Sequence, residues 1–192
     1  MDIIDLIPDN TSAIEQAAAL LVEGFAENSP ASWPNLESGL EEVREWLGPE
    51  HICRVAVSEQ GAVLGWIAAN SQYDGNVWEL HPLVVRADHR GEGIGRALVH
   101  DLEQCVGERG GITLTLGSDD ENNLTSLAGI DLYPNLLQHI AGIRNLGRHP
   151  YSFYEKVGFQ IVGVLPDANG FGKPDILMAK RVATPVSPEG RQ

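Results

Sequence analysis

The stretch 77–107, in which VWELHPLVV runs into RADHRGEGIGRALVHDLEQCV, constrains the chain more than any other. Its first part has the period of a strand, with Trp78 and Leu80 on one face and Glu79, His81 and Leu83 on the other. Pro82 has no N–H to give to a ladder, so a bulge or a locally unpaired edge is expected there. Gly91, Gly93 and Gly95 then open a helix whose apolar stripe is Ile94, Leu98, Leu102 and Cys105, widened by Ala97 and Val106. The first amides of a helix lack intrahelical partners, and glycines let an anion approach them. Arg90 and Arg96 flank the turn and add charge. Taken alone, the pattern reads equally as a phosphate cradle or as a plain turn. It lacks Walker order and the following Lys-Ser or Lys-Thr pair, which argues against a nucleoside triphosphatase. Gly91-x-Gly93-x-Gly95 is also not the spacing of the dinucleotide fingerprint.

With 192 residues and 43% apolar composition, one domain with a filled core is expected, covering 1–181 and followed by a loose tail over 182–192. The net charge is −14 and unevenly spread: residues 1–50 hold eleven carboxylates against Arg44 alone, a net of −10 that leaves −4 for the rest. This balance opposes nucleic acid and anionic membrane and favours a cationic partner, though a solvated acidic surface explains it as well. The two cysteines, Cys53 in a strand and Cys105 on a helix, read as thiols rather than a disulfide. Asp2 and Asp5 stand where a signal peptide needs basic residues, and no apolar run approaches the roughly 18 residues of a spanning helix. A cytoplasmic protein is the expectation.

An edge strand is expected over 1–7, then a helix opened by a capping box at Ser12-Ala13-Ile14-Glu15, and a second helix opened by Ser38-Gly39-Leu40-Glu41. The aromatic, acidic loop between them makes either a lip over a pocket or a plain connection between paired helices. Strands over 52–57, 62–69 and 77–85 form an antiparallel meander, and the strand after the 92–107 helix becomes a parallel neighbour, so the sheet is mixed. Residues 118–149 show only a broken helical pattern interrupted by Pro134; a short helix follows Pro150, and two last strands cover 159–165 and 176–180. The six histidines form no metal constellation, and Asp119 with Asp120 lacks the spaced oxygens of a calcium loop. That acidic pair reads as a solvated loop or a cation-facing wall. Trp46, Trp66 and Trp78 are core candidates, whereas Trp33, in a loop, is the indole expected to touch a ligand.

Arg90-Gly91-Glu92-Gly93-Ile94-Gly95 resembles the Arg/Gln-x-x-Gly-x-Gly/Ala loop of the acetyl-CoA-dependent N-acetyltransferase superfamily known as GNAT. WELHPLVV at 78–85, GGITLTLGSDD at 110–120, HPYSFYEKVGF at 149–159 and IVGVLPDANGFGKPDILMAK at 161–180 are similar to the chromosomal aminoglycoside 6'-N-acetyltransferases of Gram-positive bacteria. The resemblance implies an α+β (α/β mixed) GNAT fold, with a mixed sheet of six or seven strands flanked by helices and split near its middle. It implies acetyl-CoA as cosubstrate without a metal, a cationic aminoglycoside as acceptor, and a homodimer.

The resemblance also implies roles. Glu79 matches the general base, His81 a neighbouring polar residue, Leu83 the position whose amide faces the thioester carbonyl, and Tyr154 the donor to the departing thiolate. Leu83, Val84, Val85 and the turn Arg90, Gly91, Glu92, Gly93, Ile94, Gly95, together with Arg96 and Tyr154, match the cofactor-holding segments. Trp33, Glu79, Asp119 and Asp120 are the acceptor-side candidates. The chemistry agrees, because acyl transfer from a thioester needs a neutral amine, a donor to the oxyanion and help for the thiolate. His81 serves either to orient Glu79 or to move protons. Acceptors other than aminoglycosides, namely a protein amino terminus, a lysine or a polyamine, stay open, as does a non-catalytic acyl-CoA sensor; the 25–36 segment is where the chain departs most from that pattern.

Overall fold

In the computed structural model, which describes residues 1–27, 29 and 31–184, the elements run β1 (Asp2–Asp5), α1 (Thr11–Phe25), α2 (Leu36–Glu45), β2 (His51–Val57), β3 (Val63–Gln72), β4 (Val77–Val85), α3 (Ile94–Glu108), β5 (Thr113–Asp119), α4 (Leu136–Ala141), α5 (Tyr151–Lys156), β6 (Gln160–Leu165) and β7 (Asp175–Arg181). The expected tail lies largely beyond residue 184, outside the described residues. One sheet of seven strands has the order β1-β2-β3-β4-β5-β7-β6. The β4 and β5 strands are parallel neighbours, and the other pairs are antiparallel. A mixed sheet flanked by helices is therefore what the chain forms.

The two faces of the sheet hold separate cores. Val55, Trp66, Ala68 and Val84 pack with α1 and α2, whereas Ile67, Ala69, Leu80, Leu114 and Met178 pack with Leu98 and Leu102 of α3. With helices on both sides, β3 is buried without alternation over its first seven residues. Small residues bring the two N-terminal helices together: Ala17 and Ala18 are fully buried, and a Cβ at Gly39 would stand 2.9 Å from the Ala18 carbonyl oxygen.

Both helix starts lie upstream of the expected boxes. The Asn10 side chain accepts from the Ala13 amide at 3.1 Å and caps α1, so Ser12 is already helical. At α2 the box is formed by Asn35 and Ser38, which accept from each other's amides at 3.0 and 3.3 Å. Asparagine is as good an N-cap as serine and lies earlier in each case, two residues before Ser12 and three before Ser38.

The bulge expected at Pro82 is present, and it corrects the face assignment. Ala69 pairs with Leu80 and Ile67 with Leu83, so His81 and Pro82 together oppose Ala68. The extra residue reverses the alternation. Leu83 therefore shares the α3 face with Leu80, rather than the face of Glu79. Beyond β5, Asp120 accepts from the Leu124 and Thr125 amides at 2.7 and 2.8 Å, and Thr125 bridges to Asn145. These clamps, with the short α4, organise the segment whose sequence shows only a broken helical pattern.

Candidate active site

Parallel pairing of β4 with β5 joins Val77 to Thr113, Trp78 to Leu114 and Glu79 to Thr115; β4 then continues along β3 and β5 along β7. Two clefts occupy the region where the strands part. One, of about 470 Å³, runs between the end of β4, the glycine turn and α5, and is lined by Val85, Arg90, Gly91, Gly93, Ile94, Gly95 and Arg96. The other, of about 220 Å³, is lined by Trp33, His81, Ser118, Asp119 and Glu121 among others. Leu83, Pro150 and Tyr154 belong to both.

The three turn glycines have different physical reasons. Gly91 and Gly93 hold φ of 88° and 90°, the left-handed region, and Gly93 is the N-cap of α3, leaving the following amides without a side-chain partner. A Cβ at Gly95 would lie 3.3 Å from the Phe153 ring, so this glycine brings α3 and α5 together. Arg90 donates through Nε to the Val85 carbonyl at 3.2 Å, which holds it beside the turn. Two expected cofactor residues sit otherwise. The Val84 side chain is buried in the α1 core, and Glu92 pairs with His89 Nδ1 at 2.9 Å without lining the cleft.

On the other side, Trp33 packs edge-on to Phe25 at 4.8 Å and donates through its indole to Glu42 at 3.0 Å. Trp46, expected in the core, is only partly buried and donates to the same carboxylate at 2.8 Å. Glu42 also lies 3.8 Å from His81 Nε2, and the His81 ring is 6.0 Å from Trp33 and 5.7 Å from Trp46. The His81 side chain thus stands in an aromatic and acidic lip built by the loop before α2 and by α2 itself. Glu121, which accepts from Ser29 Oγ at 3.0 Å, closes the rim.

Glu79 is half-buried, accepts from Gln72 Nε2 at 2.5 Å and shares a sheet face with Thr115, Gly117 and Asp119, outside the cleft wall proper. Asp119 does line the cleft, and its Oδ1 accepts from Asn169 Nδ2. Asp120 is 1% exposed and its two oxygens hold loop amides, so it cannot meet an acceptor. Asp175, paired with Asp119 across β5 and β7, lies over Gly117, where any Cβ would stand 2.5 Å from its Oδ2. Its Oδ1 is buried without a hydrogen-bond partner. Burial, aided by the Asp119 and Glu79 charges, pushes the Asp175 carboxyl up to about 6.

Tyr154 packs against Phe153 at 5.2 Å and Phe159 at 5.6 Å, and burial pushes its phenol well above the ordinary value. It therefore stays protonated and available as a donor across neutral pH. Sequence reasoning missed Glu42 and Asp175: the first reads as one more surface acid of a helix, and the second becomes relevant only through its cross-strand partner. Among the described residues no group of His, Cys, Asp and Glu converges as a metal site, and no helix is long and apolar enough to cross a membrane.

A search of curated proteins finds no match to the chain. Solved structures do match. An aminoglycoside 6'-N-acetyltransferase complexed with coenzyme A is 43% identical, with 97% of this chain and 100% of that one covered and a TM-score of 0.89. An aminoglycoside 6'-N-acetyltransferase from Enterococcus faecium is also 43% identical, with the same coverage and a TM-score of 0.87. An aminoglycoside 6'-acetyltransferase type Ii is 38% identical over 97% of this chain and 100% of that one, with a TM-score of 0.74. The family model described as acetyltransferase (GNAT) matches residues 18–133, which span the lip, the bulged strand, the glycine turn and the first part of the excursion after β5. A split mixed sheet, a glycine turn that opens a helix at the split, and full-length similarity to acetyltransferases converge on one conclusion: the chain belongs to the GNAT acetyltransferase family.

Proposed function

We propose that the protein is an aminoglycoside 6'-N-acetyltransferase that moves the acetyl group of acetyl-CoA directly to an acceptor amine in a ternary complex, with antibiotic resistance as the result. The observation that carries this reading is the meeting of two chemically opposite clefts at Leu83 and Tyr154. One cleft offers helix amides and two arginines to an anion; the other offers carboxylates to a cation.

In this reading the Leu83 amide, at the end of the bulge, donates to the oxyanion that grows on the thioester carbonyl. Glu79, reached through water, takes the proton of the acceptor ammonium, because a protonated amine cannot attack. His81, tied to Glu42 in the lip, orients the acceptor. Asp119, Glu121 and the indole of Trp33 hold the cationic sugar. Tyr154 donates to the departing sulphur. Its raised phenol makes it a hydrogen-bond donor rather than a full acid: an ordinary thiol has a pKa of about 8.5, so complete transfer from the phenol would be uphill.

A panel of acceptors tests the function. Acetyl-CoA turnover with kanamycin and tobramycin is expected; turnover with peptides or spermidine alone overturns the aminoglycoside assignment, and tight CoA binding without turnover reduces the protein to a sensor. A homodimer accompanies the proposal, supported by Tyr133, Leu137, Leu146 and Phe171, which are 62–100% exposed on the excursion after β5 and on the loop between β6 and β7. Light scattering at micromolar concentration checks it, and a mass near 20.8 kDa, one chain, refutes it.

A further inference from the structure

His149 is 2% exposed, and both of its ring nitrogens are engaged. Nε2 lies 3.0 Å from the backbone carbonyl oxygen of Asp119, which only accepts, so Nε2 carries the hydrogen. The Tyr151 amide donates to Nδ1 at 3.2 Å, so Nδ1 presents its lone pair. The ring is thus a neutral imidazole in a single tautomer, its centroid 5.6 Å from that of Tyr151 with the two planes tilted by 39°. Asn145 secures the turn around it, accepting from the His149 amide at 2.8 Å and donating to the His149 carbonyl at 2.8 Å and to Ser152 Oγ at 2.7 Å. Asp119 is the last residue of β5 and lines the acidic cleft, while Tyr151 is the first residue of the helix that carries Tyr154.

We propose that His149 is a positioning residue for acetyl transfer: by bridging the Asp119 carbonyl to the Tyr151 amide it sets the Tyr154 hydroxyl against the acidic end of β5, and protonation of the ring uncouples the two. The inference rests on the acetyltransferase reading of the site. Physically, a proton on Nδ1 would face the Tyr151 N–H, donor against donor, and the six-residue α5 has no other side-chain cap. The groups that face the ring are the Asp119 and Asp120 carboxylates and the Tyr151 side chain. Both acids favour the cation, yet burial outweighs them and holds the imidazole below its ordinary value. The bridge is therefore intact at neutral pH and breaks on acidification.

Two measurements on the full chain test this. In the wild-type protein, NMR of the His149 ring and of the Tyr154 ring across the acidic range should show one common midpoint; His149 titrating while the Tyr154 resonances stay still overturns the inference, and this readout needs no variant to fold. In steady-state turnover of acetyl-CoA and kanamycin, His149→Leu should lower kcat on the order of tenfold to a hundredfold with KM for acetyl-CoA within about twofold, as expected for a misplaced catalytic group. His149→Gln, which can offer an acceptor and a donor without titrating, should recover most of kcat and lack the wild-type acid limb. In a Tyr154→Phe background the His149→Leu loss should nearly vanish, because the bridge acts through that hydroxyl. Additive losses, or an acid limb unchanged in His149→Gln, refute the positioning role. A wild-type protein that acetylates no amine would instead remove the underlying reading.

Discussion

Asp175 and the pair Glu79 and Tyr154 show how differently single residues can be tuned on one site. Asp175 binds its proton more tightly in the folded chain, at about 6 against an ordinary 3.8. Its stabilising contribution is thus full below the unfolded value and lost as pH rises through 6; at pH 7 the ionised carboxylate beside Asp119 and Glu79 opposes folding. Asp175→Asn should therefore stabilise the protein at pH 7 by about 1 kcal/mol, discounted because the group still touches water, which is a rise in Tm of roughly 2–4 °C. Thermal scans at pH 7 and pH 3.5 check this, and a gain that persists at the lower pH refutes the cause. Glu79 and Tyr154 should fail in different ways. Glu79→Gln keeps shape and loses charge, so turnover at neutral pH falls by on the order of a hundredfold and partly recovers as rising pH deprotonates the amine. Tyr154→Phe should lower turnover with little change in acceptor KM, and the loss should shrink for an acetyl thioester of a more acidic thiol. Parallel pH profiles and leaving-group dependences for the two variants would contradict this division.

At the scale of elements, the glycine turn and the bulge place these groups. A Cβ at Gly93 would meet nothing within 4 Å, so a substitution there acts through backbone strain at φ 90° and not through a clash. Holding that region costs a non-glycine residue roughly 1–2 kcal/mol, enough to move the cap of α3. Gly93→Ala should therefore raise KM for acetyl-CoA about tenfold and leave KM for the aminoglycoside unchanged. An unchanged cofactor KM in a folded variant removes the turn from cofactor binding. The bulge at His81 and Pro82 acts in the complementary way: its extra residue turns Leu83 to the α3 side, where it lines both clefts, while Glu79 stays on the opposite face. Period-two reading through Pro82 placed Leu83 with Glu79, because the position of a bulge was legible but the reversal of faces it causes depends on how the partner strand absorbs the extra residue.

Across the whole molecule the charge is the leading feature. Of the eleven acids in the first fifty residues, Asp5 pairs with Arg54 at 2.6 Å and Glu42 reaches the aromatic lip beside His81; Asp119 and Glu121 add charge to the adjoining cleft from the other half of the chain. Aminoglycoside affinity should thus weaken as ionic strength rises from low to physiological, measured by calorimetry, since exposed attractions fade when the screening length shrinks to about 8 Å. A flat salt dependence would mean that the acidic surface serves solubility alone. The strand, glycine turn and helix, the mixed sheet and the resemblance to acetyltransferases were all determined by the sequence itself, because they rest on local period, on backbone conformations open only to glycine, and on motifs contiguous along the chain. Only the tertiary structure decided that Asp120 holds its own loop while Asp175, far away in sequence, joins Asp119; that Trp46 belongs to the lip with Glu42; and that His149 links β5 to α5. Those relations are cross-strand pairings and buried hydrogen bonds between distant segments, and no local period encodes which distant partner a side chain will meet.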